Sequence, residues 1–470
     1  MSCGKAKIYG CPGDEGGHGP GAAPITLERL AIATGEPVER LAEWRSMGLI
    51  GRDGELRAED AARARLIHDL VHHGLTPEEI GKAIEREGTL GRFLKELGES
   101  LVHGGYSPVE AAEAAGLEID MARRLMDAAG IHDEHELLDE DDVRFFKACR
   151  IALKAGYPEE ALLQVLHAYS DAMTRAAHVG AQTSHFYLHQ PLHADGLPTE
   201  EMIRRLNDTF GRVEPLVEPA LMYFFRKGSQ QAAWEDMLAH LEEELGLVER
   251  PEAPGQIRQA VMFVDLASFT PLAEAMGDLK AAEVLQRFGA MVRKAVRRCH
   301  GRIVKQIGDA FMIVFPECFS AVSCALELEE RSREEPQFPA VRSGLHWGSV
   351  LYREGDYLGS NVNIASRLAA EAERHQVLIT EEVWRRAKGL EGAEFVRRGK
   401  RRLKGLTAEV EVFEVRASEP LKVKARIDPV CGMEMRPGEE AATLTWGPQE
   451  HAFCSQACLK KFVSAPEKYG

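Results

Sequence analysis

Hydrophobic positions follow two different periods along this 470-residue chain. Between Ile25 and Leu247, apolar residues recur every three or four positions, which is the spacing of amphipathic α-helices. From Ile257 onward, unbroken apolar runs such as residues 261–266 and 310–315 alternate with helical stretches. Because such runs are typical of buried strands, the pattern predicts an all-α N-terminal region followed by an α+β domain.

Changes in composition divide the chain further. Residues 1–23 are rich in glycine and proline and have almost no apolar periodicity, so they predict a flexible tail. Charged, proline-containing linkers follow at 248–255 and near 417–424. The predicted units are a tail at 1–23, helical units at 24–105 and 106–247, an α+β domain at 256–417 and a small C-terminal domain at 425–470.

The helical region contains a repeated pattern. Residues 25–31, followed by Gly35 and Gly48, predict a helix-turn-helix, and a similar pattern starts about 81 residues later at Ser107. The first copy resembles the winged helix of MerR-type regulators, but a reader of DNA needs basic residues where this region is acidic. The acidic residues are Glu36, Glu39, Glu43, Asp53 and Glu55. They argue against DNA binding and favour a protein or small-molecule partner.

Two acidic residues stand at strand ends in the α+β domain. Asp265 lies near the end of an apolar run and precedes a polar turn and a helical pattern. Asp309 follows Gly308 between two apolar runs, which predicts a tight hairpin. Two carboxylates lie close together only with a cation or a proton between them, and Mg²⁺ binds a few carboxylates before it takes substrate phosphates. We therefore expect divalent metal ions here, as in phosphoryl-transfer sites.

A third motif runs from Asp356 to Arg367. Its second half has helical spacing, so Asn363 and Arg367, four residues apart, share one helix face. An amide and a guanidinium on one face suit a ribose and a phosphorus centre that gains charge in the transition state.

With these motifs, the segment from about Gln256 to Val415 closely resembles the catalytic domain of class III nucleotidyl cyclases, an α+β, ferredoxin-like domain. The resemblance assigns Asp265 and Asp309 to two Mg²⁺ or Mn²⁺ ions per site, Lys305 and Asp356 to the purine, Asn363 to the ribose and Arg367 to the transition state. It also places the site between two cyclase domains. A chain with one such domain is therefore expected to act as a homodimer.

The residues that bind the base favour adenine. Adenine offers an amino donor and ring-nitrogen acceptors, which match the acceptor Asp356 and the donor Lys305. We therefore expect ATP as the substrate, with cyclic AMP and pyrophosphate as products.

Further substrate-binding residues are implied by the resemblance alone. Phe269 and Thr270 follow Ser268, which stands where many relatives have glycine. A side chain at this position narrows the approach of a triphosphate to the turn, and we interpret it as a tolerated variant. Lys404, in the loop 399–405, is assigned to the triphosphate, with a solvated basic turn as the alternative.

The C-terminal unit places cysteines at short spacing. Cys431 lies in the segment 428–433, and Cys454 and Cys458 stand four residues apart before a helical pattern. The unit closely resembles a YHS domain, a small treble-clef-like module related to metal-handling TRASH domains. Soft thiolates select Zn²⁺ or copper, so these three cysteines predict a soft-metal site. His451 is a weak candidate for a fourth ligand, and a fold without metal is the alternative.

Composition and charge limit the classes of protein to which this chain can belong. Hydrophobic residues make up 44% and charged residues 28% of the chain, which is ordinary for a globular protein. No apolar run approaches the roughly 20 residues of a membrane span, and no signal-peptide pattern opens the chain. We expect a cytoplasmic protein without membrane contact. The net charge of −16 argues against a general nucleic-acid binder.

Control of the enzyme is the remaining question. Residues 106–245 resemble the helical regulatory domain N-terminal to some bacterial adenylate cyclases, so we predict an adenylate cyclase regulated by its flanking domains. A catalytically weak nucleotide-binding signalling module and a MerR-like transcription regulator with a nucleotide sensor are the alternatives. A group of histidines in this region suggests control by pH, against separate surface or core histidines. They are His167, His178, His185, His189 and His193.

Overall fold

A computed structural model describes residues 26–51, 56, 59–85, 104–131, 138–197, 199–246, 253–406, 408–419 and 425–469. The predicted tail at 1–23, Asp53 and Glu55 lie outside these ranges. The chain divides into two units, Met1–Ala233 and Trp234–Gly470. Within the described ranges, no helix combines the length and the apolar character needed to cross a membrane.

The first unit opens with helices packed around a small core. They are α1 (Leu27–Thr34), α2 (Val38–Ser46), α3 (Glu59–His72) and α4 (Pro77–Glu85). Thr26 caps α1 by accepting a hydrogen bond from the Arg29 amide, and Gly35 ends it with a φ of 68°, a left-handed conformation that favours glycine. The periodic apolar residues are the buried ones, among them Leu30, Leu41, Trp44, Ile67 and Ile80.

Glu36 changes one of the sequence interpretations. Its side chain is buried, accepts a hydrogen bond from Arg40 at 2.8 Å and lies 2.6 Å from Nδ1 of His68. It therefore belongs to an internal polar cluster and contributes no surface charge. The acidic character of α2 that argues against DNA binding rests on the exposed residues Glu39 and Glu43.

The element order of the first copy recurs in the second. The elements are β1 (Gly104–Tyr106), α5 (Pro108–Ala115), α6 (Ile119–Ala129), β2 (Leu138–Asp139), α7 (Glu140–Lys154) and α8 (Glu159–Ser184). Each of α5–α8 begins about 81 residues after its counterpart among α1–α4, as a tandem repeat predicts. Ser107 and Glu110 form a capping box on α5, and the Arg29 guanidinium reaches the Glu110 carboxylate at 2.8 Å.

The five histidines lie on α8, the last helix of the second copy, and on the two short helical segments after it. These segments are a π-helical turn (His185–His189) and α9 (Gln190–Ala194), and the long helix α10 (Thr199–Glu244) follows them. The rings of His185 and His189 stack with centroids 5.1 Å apart, and His193 lies 6.3 Å beyond. His167 and His178 lie earlier on α8, apart from this row. Control by histidine protonation stays a prediction.

The second unit is built on an eight-stranded sheet. Its elements are β3 (Gln256–Leu266), α11 (Phe269–Met276), α12 (Asp278–Arg298), β4 (Arg302–Ile307), β5 (Ala310–Phe315), α13 (Cys318–Glu334), β6 (Val341–Arg353), β7 (Asp356–Leu358), α14 (Ser360–Glu371), β8 (Val377–Thr380), α15 (Glu381–Ala387), β9 (Ala393–Arg401) and β10 (Val410–Ala417). The strand order is β4-β5-β3-β6-β8-β10-β9, with β7 paired to β6. Strands β6 and β8 are parallel and the other pairs are antiparallel. The predicted helical region and α+β domain are confirmed.

Both faces of the central strands are covered, which explains their unbroken apolar sequence. On β3, Met262 and Val264 face the core formed with α12 and α13, where Phe288 is fully buried. The alternate residues Val261 and Phe263 face α14. Because successive strand residues point to opposite faces, a strand between two helix layers needs apolar residues at every position.

The C-terminal domain packs against this sheet domain. Its elements are β11 (Arg426–Ile427), β12 (Glu434–Met435), β13 (Ala442–Trp446), β14 (Gln449–Phe453), α16 (Gln456–Ser464) and α17 (Pro466–Tyr469). Its buried residues Met433, Phe453 and Phe462 belong to the same apolar core as Phe288 and Phe338. The C-terminal domain therefore shares a core with the sheet domain. A treble clef and a ferredoxin-like arrangement stay predictions.

Gly344→Ala tests how closely α14 approaches the sheet. A Cβ at Gly344 in β6 would lie 2.1 Å from the Ala369 amide nitrogen and 2.6 Å from the Ala365 carbonyl oxygen, so α14 has to move. We expect a loss of about 1–3 kcal/mol in the free energy of unfolding, measured by chemical denaturation. Gly389→Ala is the control, because its Cβ meets only Phe319 at an ordinary 3.9 Å. Equal stability of the two variants would contradict the close approach.

Candidate active site and thiolate cluster

Strand pairing brings Asp265 and Asp309 to one end of the sheet. Asp265 lies in register between Ala310 of β5 and Arg342 of β6. Asp309 directly precedes Ala310, at a hairpin turn where Gly308 has a φ of 62°. The turn pair recognised in the sequence therefore places the second carboxylate beside the first.

The electrostatics of this pair fit a cation. Burial, and then the neighbouring Asp265 charge, raise the pKa of Asp309 to about 6. Arg342 donates two hydrogen bonds to Oδ2 of Asp265, at 2.6 Å and 3.1 Å. Oδ1 of Asp265 is buried and has no hydrogen-bond partner within the described residues. An orphaned buried carboxylate oxygen beside a second carboxylate suits a hard divalent metal ion.

Lys305 and Asp356 form the second pair. Nζ of Lys305 bonds to Oδ2 of Asp356 although the two residues are 51 positions apart. Oδ1 of Asp356 accepts a hydrogen bond from the Tyr357 amide at 2.8 Å, which fixes the carboxylate at the start of β7. Both side chains are partly exposed, so a ligand in solution can reach them.

Helix α14 presents Asn363 and Arg367 to solvent. Both are exposed, and neither side chain forms a hydrogen bond or an ion pair with any residue that the structure describes. The first turn of α14 is held by Asn361, whose side chain bonds to Nε2 of His346 at 2.9 Å and to the Ser349 carbonyl at 2.7 Å. Burial lowers the pKa of His346, so the ring is neutral in this network.

The remaining predicted substrate residues lie at two separate turns. Phe269 begins α11 and packs half-buried against the core, while Thr270 is exposed beside it. Ser268 is the N-cap of α11 and has a φ of 68°, a left-handed conformation that favours glycine. Lys404 is exposed in a turn between β9 and β10.

Four of the predicted residues thus form two separate pairs in one chain. Asp265 and Asp309 are one pair, and Lys305 and Asp356 are the other. No hydrogen bond or ion pair between these two pairs occurs in the described ranges.

The three cysteines of the C-terminal domain converge. Sγ of Cys454 lies 3.4 Å from Sγ of Cys431 and 3.8 Å from Sγ of Cys458, and all three are buried free thiols. Hydrogen bonds from Cys431 and Cys454 lower the pKa of Cys458, which favours the thiolate form of that side chain. Asp428 completes a group whose ligand atoms all lie within 4.8 Å of one another. His451 packs against Phe462 instead and is not part of this group.

Two residues at these candidate sites are not singled out by the sequence analysis. Arg342 is one of them, although a single charged residue between Val341 and Ser343 is a signal that its partner lies on a neighbouring strand. Asp428 is fully buried and accepts hydrogen bonds from the amides of Val430 and Cys454, both at 2.8 Å. An aspartate that opens a turn commonly bonds the backbone two residues on, which was its signal.

Comparison with known proteins identifies the family of this chain. The model of the adenylate and guanylate cyclase catalytic domain matches residues 255–417, that of the adenylate cyclase regulatory domain matches 46–225, and that of the YHS domain matches 426–470. An adenylate cyclase from Streptomyces coelicolor is 31% identical over 291 residues, which cover 60% of this chain and 72% of the relative. The chain belongs to the adenylate and guanylate cyclase family.

Other relatives of this cyclase carry similar names. An adenylate cyclase from Streptomyces griseus is 28% identical over 69% of this chain and 77% of the relative. A pH-sensitive adenylate cyclase from Mycobacterium tuberculosis is 27% identical over 77% of this chain and 89% of the relative. The crystal structure of an adenylyl cyclase from P. aeruginosa matches 35% of this chain and 96% of that chain, with 22% identity and a TM-score of 0.32. The prediction of an adenylate cyclase enzyme with a YHS domain is confirmed.

Mn²⁺ binding by the full-length cyclase tests the carboxylate pair. Below about pH 6 Asp309 is protonated and a metal ion must displace the proton, whereas above it the carboxylate is free. The Mn²⁺ affinity should therefore rise about tenfold per pH unit up to about pH 6 and level off above it, as measured from free Mn²⁺ by electron paramagnetic resonance.

Asp309→Asn should weaken Mn²⁺ binding and remove this pH dependence. Asp356→Asn is the control, since that carboxylate lies in the other pair and should leave the profile unchanged. A flat profile in the unmodified protein would rule out the pair as the metal site.

Proposed function

We propose that this cyclase converts ATP to 3′,5′-cyclic AMP and pyrophosphate at two equivalent sites of a homodimer, each with two divalent metal ions. The observation that carries the proposal is the adjacency of Asp265 and Asp309, with one buried carboxylate oxygen left unpaired. A domain that only binds nucleotide has no need for two crowded carboxylates.

Asp265 and Asp309 would hold the metal ions. Bound Mg²⁺ or Mn²⁺ offsets phosphate charge and activates the ribose hydroxyl for attack. Arg342 orients Asp265 by donating to Oδ2, while Oδ1 would be left to a metal ion. The two carboxylates would thus supply the anionic oxygen ligands that divalent ions require.

The reaction is an internal displacement at the α-phosphorus. The 3′ oxygen forms a bond to the α-phosphorus, the bond from that phosphorus to the bridging oxygen of the β-phosphate breaks, and pyrophosphate leaves with the electron pair. The proton of the 3′ hydroxyl passes to solvent water. Arg367 would stabilise the charge that gathers on the α-phosphoryl oxygens, and Asn363, on the same face of α14, would orient the ribose.

Lys305 and Asp356 would read the base. Their ion pair holds a donor and an acceptor next to each other before the nucleotide arrives. Adenine matches this order, while guanine, which reverses donor and acceptor along that edge, leaves partly buried groups unpaired. Phe269, Thr270 and Lys404 would contact the triphosphate.

A homodimer would complete each site. In one chain no hydrogen bond or ion pair within the described ranges joins the side chains of Asn363 and Arg367 to the carboxylates of Asp265 and Asp309. Two chains in twofold symmetry would set the carboxylates of one against α14 of the other, as the family resemblance implies.

The thiolate cluster would hold a soft metal ion. Cys431, Cys454 and Cys458 have sulfur atoms in one buried group, a donor set that selects Zn²⁺ or copper over Mg²⁺. Asp428 already accepts backbone hydrogen bonds through both oxygens, so we assign it to orienting the cysteine turns. The helical and YHS domains would then regulate the cyclase.

Product analysis of the purified enzyme tests the substrate assignment. With Mg²⁺ or Mn²⁺, ATP should give cyclic AMP and pyrophosphate, separated by chromatography. Asp265→Ala and Asp309→Ala should abolish turnover. The double variant Lys305→Glu, Asp356→Cys should lower the ratio of kcat/KM for ATP over GTP by about tenfold or more, because the base-reading donor and acceptor are lost.

Lys280→Glu controls for the charge change, since this exposed lysine pairs with Glu283 on α12. It should keep the preference for ATP. Equal rates on ATP and GTP in the unmodified enzyme would contradict the roles of Lys305 and Asp356.

Mixing two inactive variants tests the shared site. Asp265→Ala lacks a metal ligand in one half of the site and Arg367→Ala lacks the phosphoryl contact in the other, so a mixed dimer has one intact site. Random exchange of subunits should restore about a quarter of the unmodified activity.

A mixture of Asp265→Ala with Asp309→Ala is the control, because both changes damage the same half. It should stay inactive. Absence of recovery in the first mixture, with subunit exchange shown by fluorescence transfer, would exclude a site shared between subunits.

A further inference from the structure

The loop that contains Cys431 lies directly on the turn after Asp265. Gly432 is so close to this turn that a Cβ on it would lie 2.8 Å from Cβ of Ser268. Ser268 follows Asp265 by three residues and precedes Phe269, the start of α11. The loop that carries Cys431 and the proposed triphosphate turn are therefore so close that a side chain larger than hydrogen does not fit between Gly432 and Ser268.

Arg374 bridges the two loops. One terminal nitrogen donates to the Gly432 carbonyl and to the Glu434 carboxylate, both at 2.8 Å, while the other donates to Oγ of Ser268 at 3.4 Å. Arg374 itself lies in the short segment between α14, which ends at Glu371, and β8. A single guanidinium thus touches the cysteine loop and the triphosphate turn, and it follows the helix that carries the other half of the site.

The other contacts of the interface do not reach this turn at Ser268. Arg436 bonds the Glu334 carbonyl at the end of α13, and His375 lies 2.8 Å from the Glu434 carboxylate. Lys461 bonds the Glu274 carbonyl near the far end of α11. These contacts dock the YHS domain on the catalytic domain, and Arg374 alone among the described residues joins Gly432 to Ser268 through its side chain.

The backbone conformation of the turn at Ser268 explains why the Arg374 bridge matters for nucleotide binding. Ser268 has a left-handed φ of 68°, which a residue with a Cβ adopts only when its surroundings hold it there. The turn also has to accept a triphosphate at the amino end of α11. A metal ion on Cys431 fixes the neighbouring Gly432, and through Arg374 it reduces the freedom that nucleotide binding would otherwise have to remove.

We propose that Arg374 is a positioning residue that couples the Cys431, Cys454, Cys458 cluster to the triphosphate turn, so that a soft divalent ion and the nucleotide each strengthen binding of the other. The inference rests on the proposed function of both sites. Coupling between two binding sites is reciprocal. The factor by which the ion raises the nucleotide affinity therefore equals the factor by which the nucleotide raises the ion affinity.

The test uses the full-length protein and two ligands that do not react. Cd²⁺ binding is followed by thiolate-to-cadmium charge-transfer absorbance, with and without saturating 3′-deoxy-ATP and Mg²⁺, since this analogue lacks the attacking hydroxyl. We expect the nucleotide to raise the Cd²⁺ affinity about fivefold or more, and Cd²⁺ to raise the nucleotide affinity by the same factor. Cys454→Ser should remove the absorbance and so assign it to the cluster.

Three variants separate positioning from simple docking. Arg374→Ala should bind each ligand alone but bring the coupling factor close to one, and Arg374→Lys should recover part of it. Ser268→Gly, which removes the hydroxyl acceptor and relieves the positive φ, should also lose coupling. Arg436→Ala is the matched control, because it removes an arginine from the same interface away from the turn, and it should keep the coupling.

Each outcome decides between the inferences. A coupling factor of one in the unmodified protein, no Cd²⁺ absorbance, or equal loss of coupling in Arg374→Ala and Arg436→Ala would overturn the role of Arg374. Absence of cyclic AMP formation from ATP would instead overturn the proposed function. Since turnover is measured without Cd²⁺, the two failures are distinguishable.

Discussion

Two carboxylates of like charge held close together are the constraint on which the catalytic domain depends. Asp265 and Asp309 repel each other, and the pKa of Asp309 is raised to about 6 as a result of burial and this repulsion. Register between β3 and β5 keeps them adjacent, and Arg342 on β6 supplies a counter-charge. Helix layers cover both faces of β3, so the apolar residues before Asp265 are packed on both sides and hold this strand in place.

The same sheet sets the second half of the site. The close approach of α14 to Gly344, together with the bonds of Asn361 to His346 and Ser349, fixes the start and the direction of that helix. Asn363 and Arg367 are thereby held on a rigid element while their side chains stay in solvent. A helix that is firmly packed on one face and exposes an amide and a guanidinium on the other is suited to a site that a second subunit completes.

The YHS domain is attached to this machinery through a shared core and a few polar contacts. Its candidate metal ligands are the soft sulfur atoms of three cysteines, whereas Asp265 and Asp309 offer only carboxylate oxygens. The two proposed metal sites therefore offer different ligand chemistry although their loops touch at Gly432 and Ser268. With both sites occupied as proposed, a soft ion at the cysteines would not compete for the hard ion at the carboxylates.

Local patterns in the sequence determined much of this protein. Unbroken apolar runs predicted the buried strands, the Gly308-Asp309 pair predicted the hairpin, and the spacing of Asn363 and Arg367 predicted a shared helix face. Such features depend on residues a few positions apart, whose geometry the backbone fixes.

Only the tertiary structure decided which distant residues meet. The partner of Asp265 proved to be Arg342, the acidic Glu36 proved to be buried against His68, and Asp428 proved to belong to the cysteine group. Ser268, which in the sequence was only a departure from glycine, proved to lie under Gly432 and Arg374. These contacts join residues far apart in the chain, and they follow from strand register and domain packing, which no short window of sequence contains.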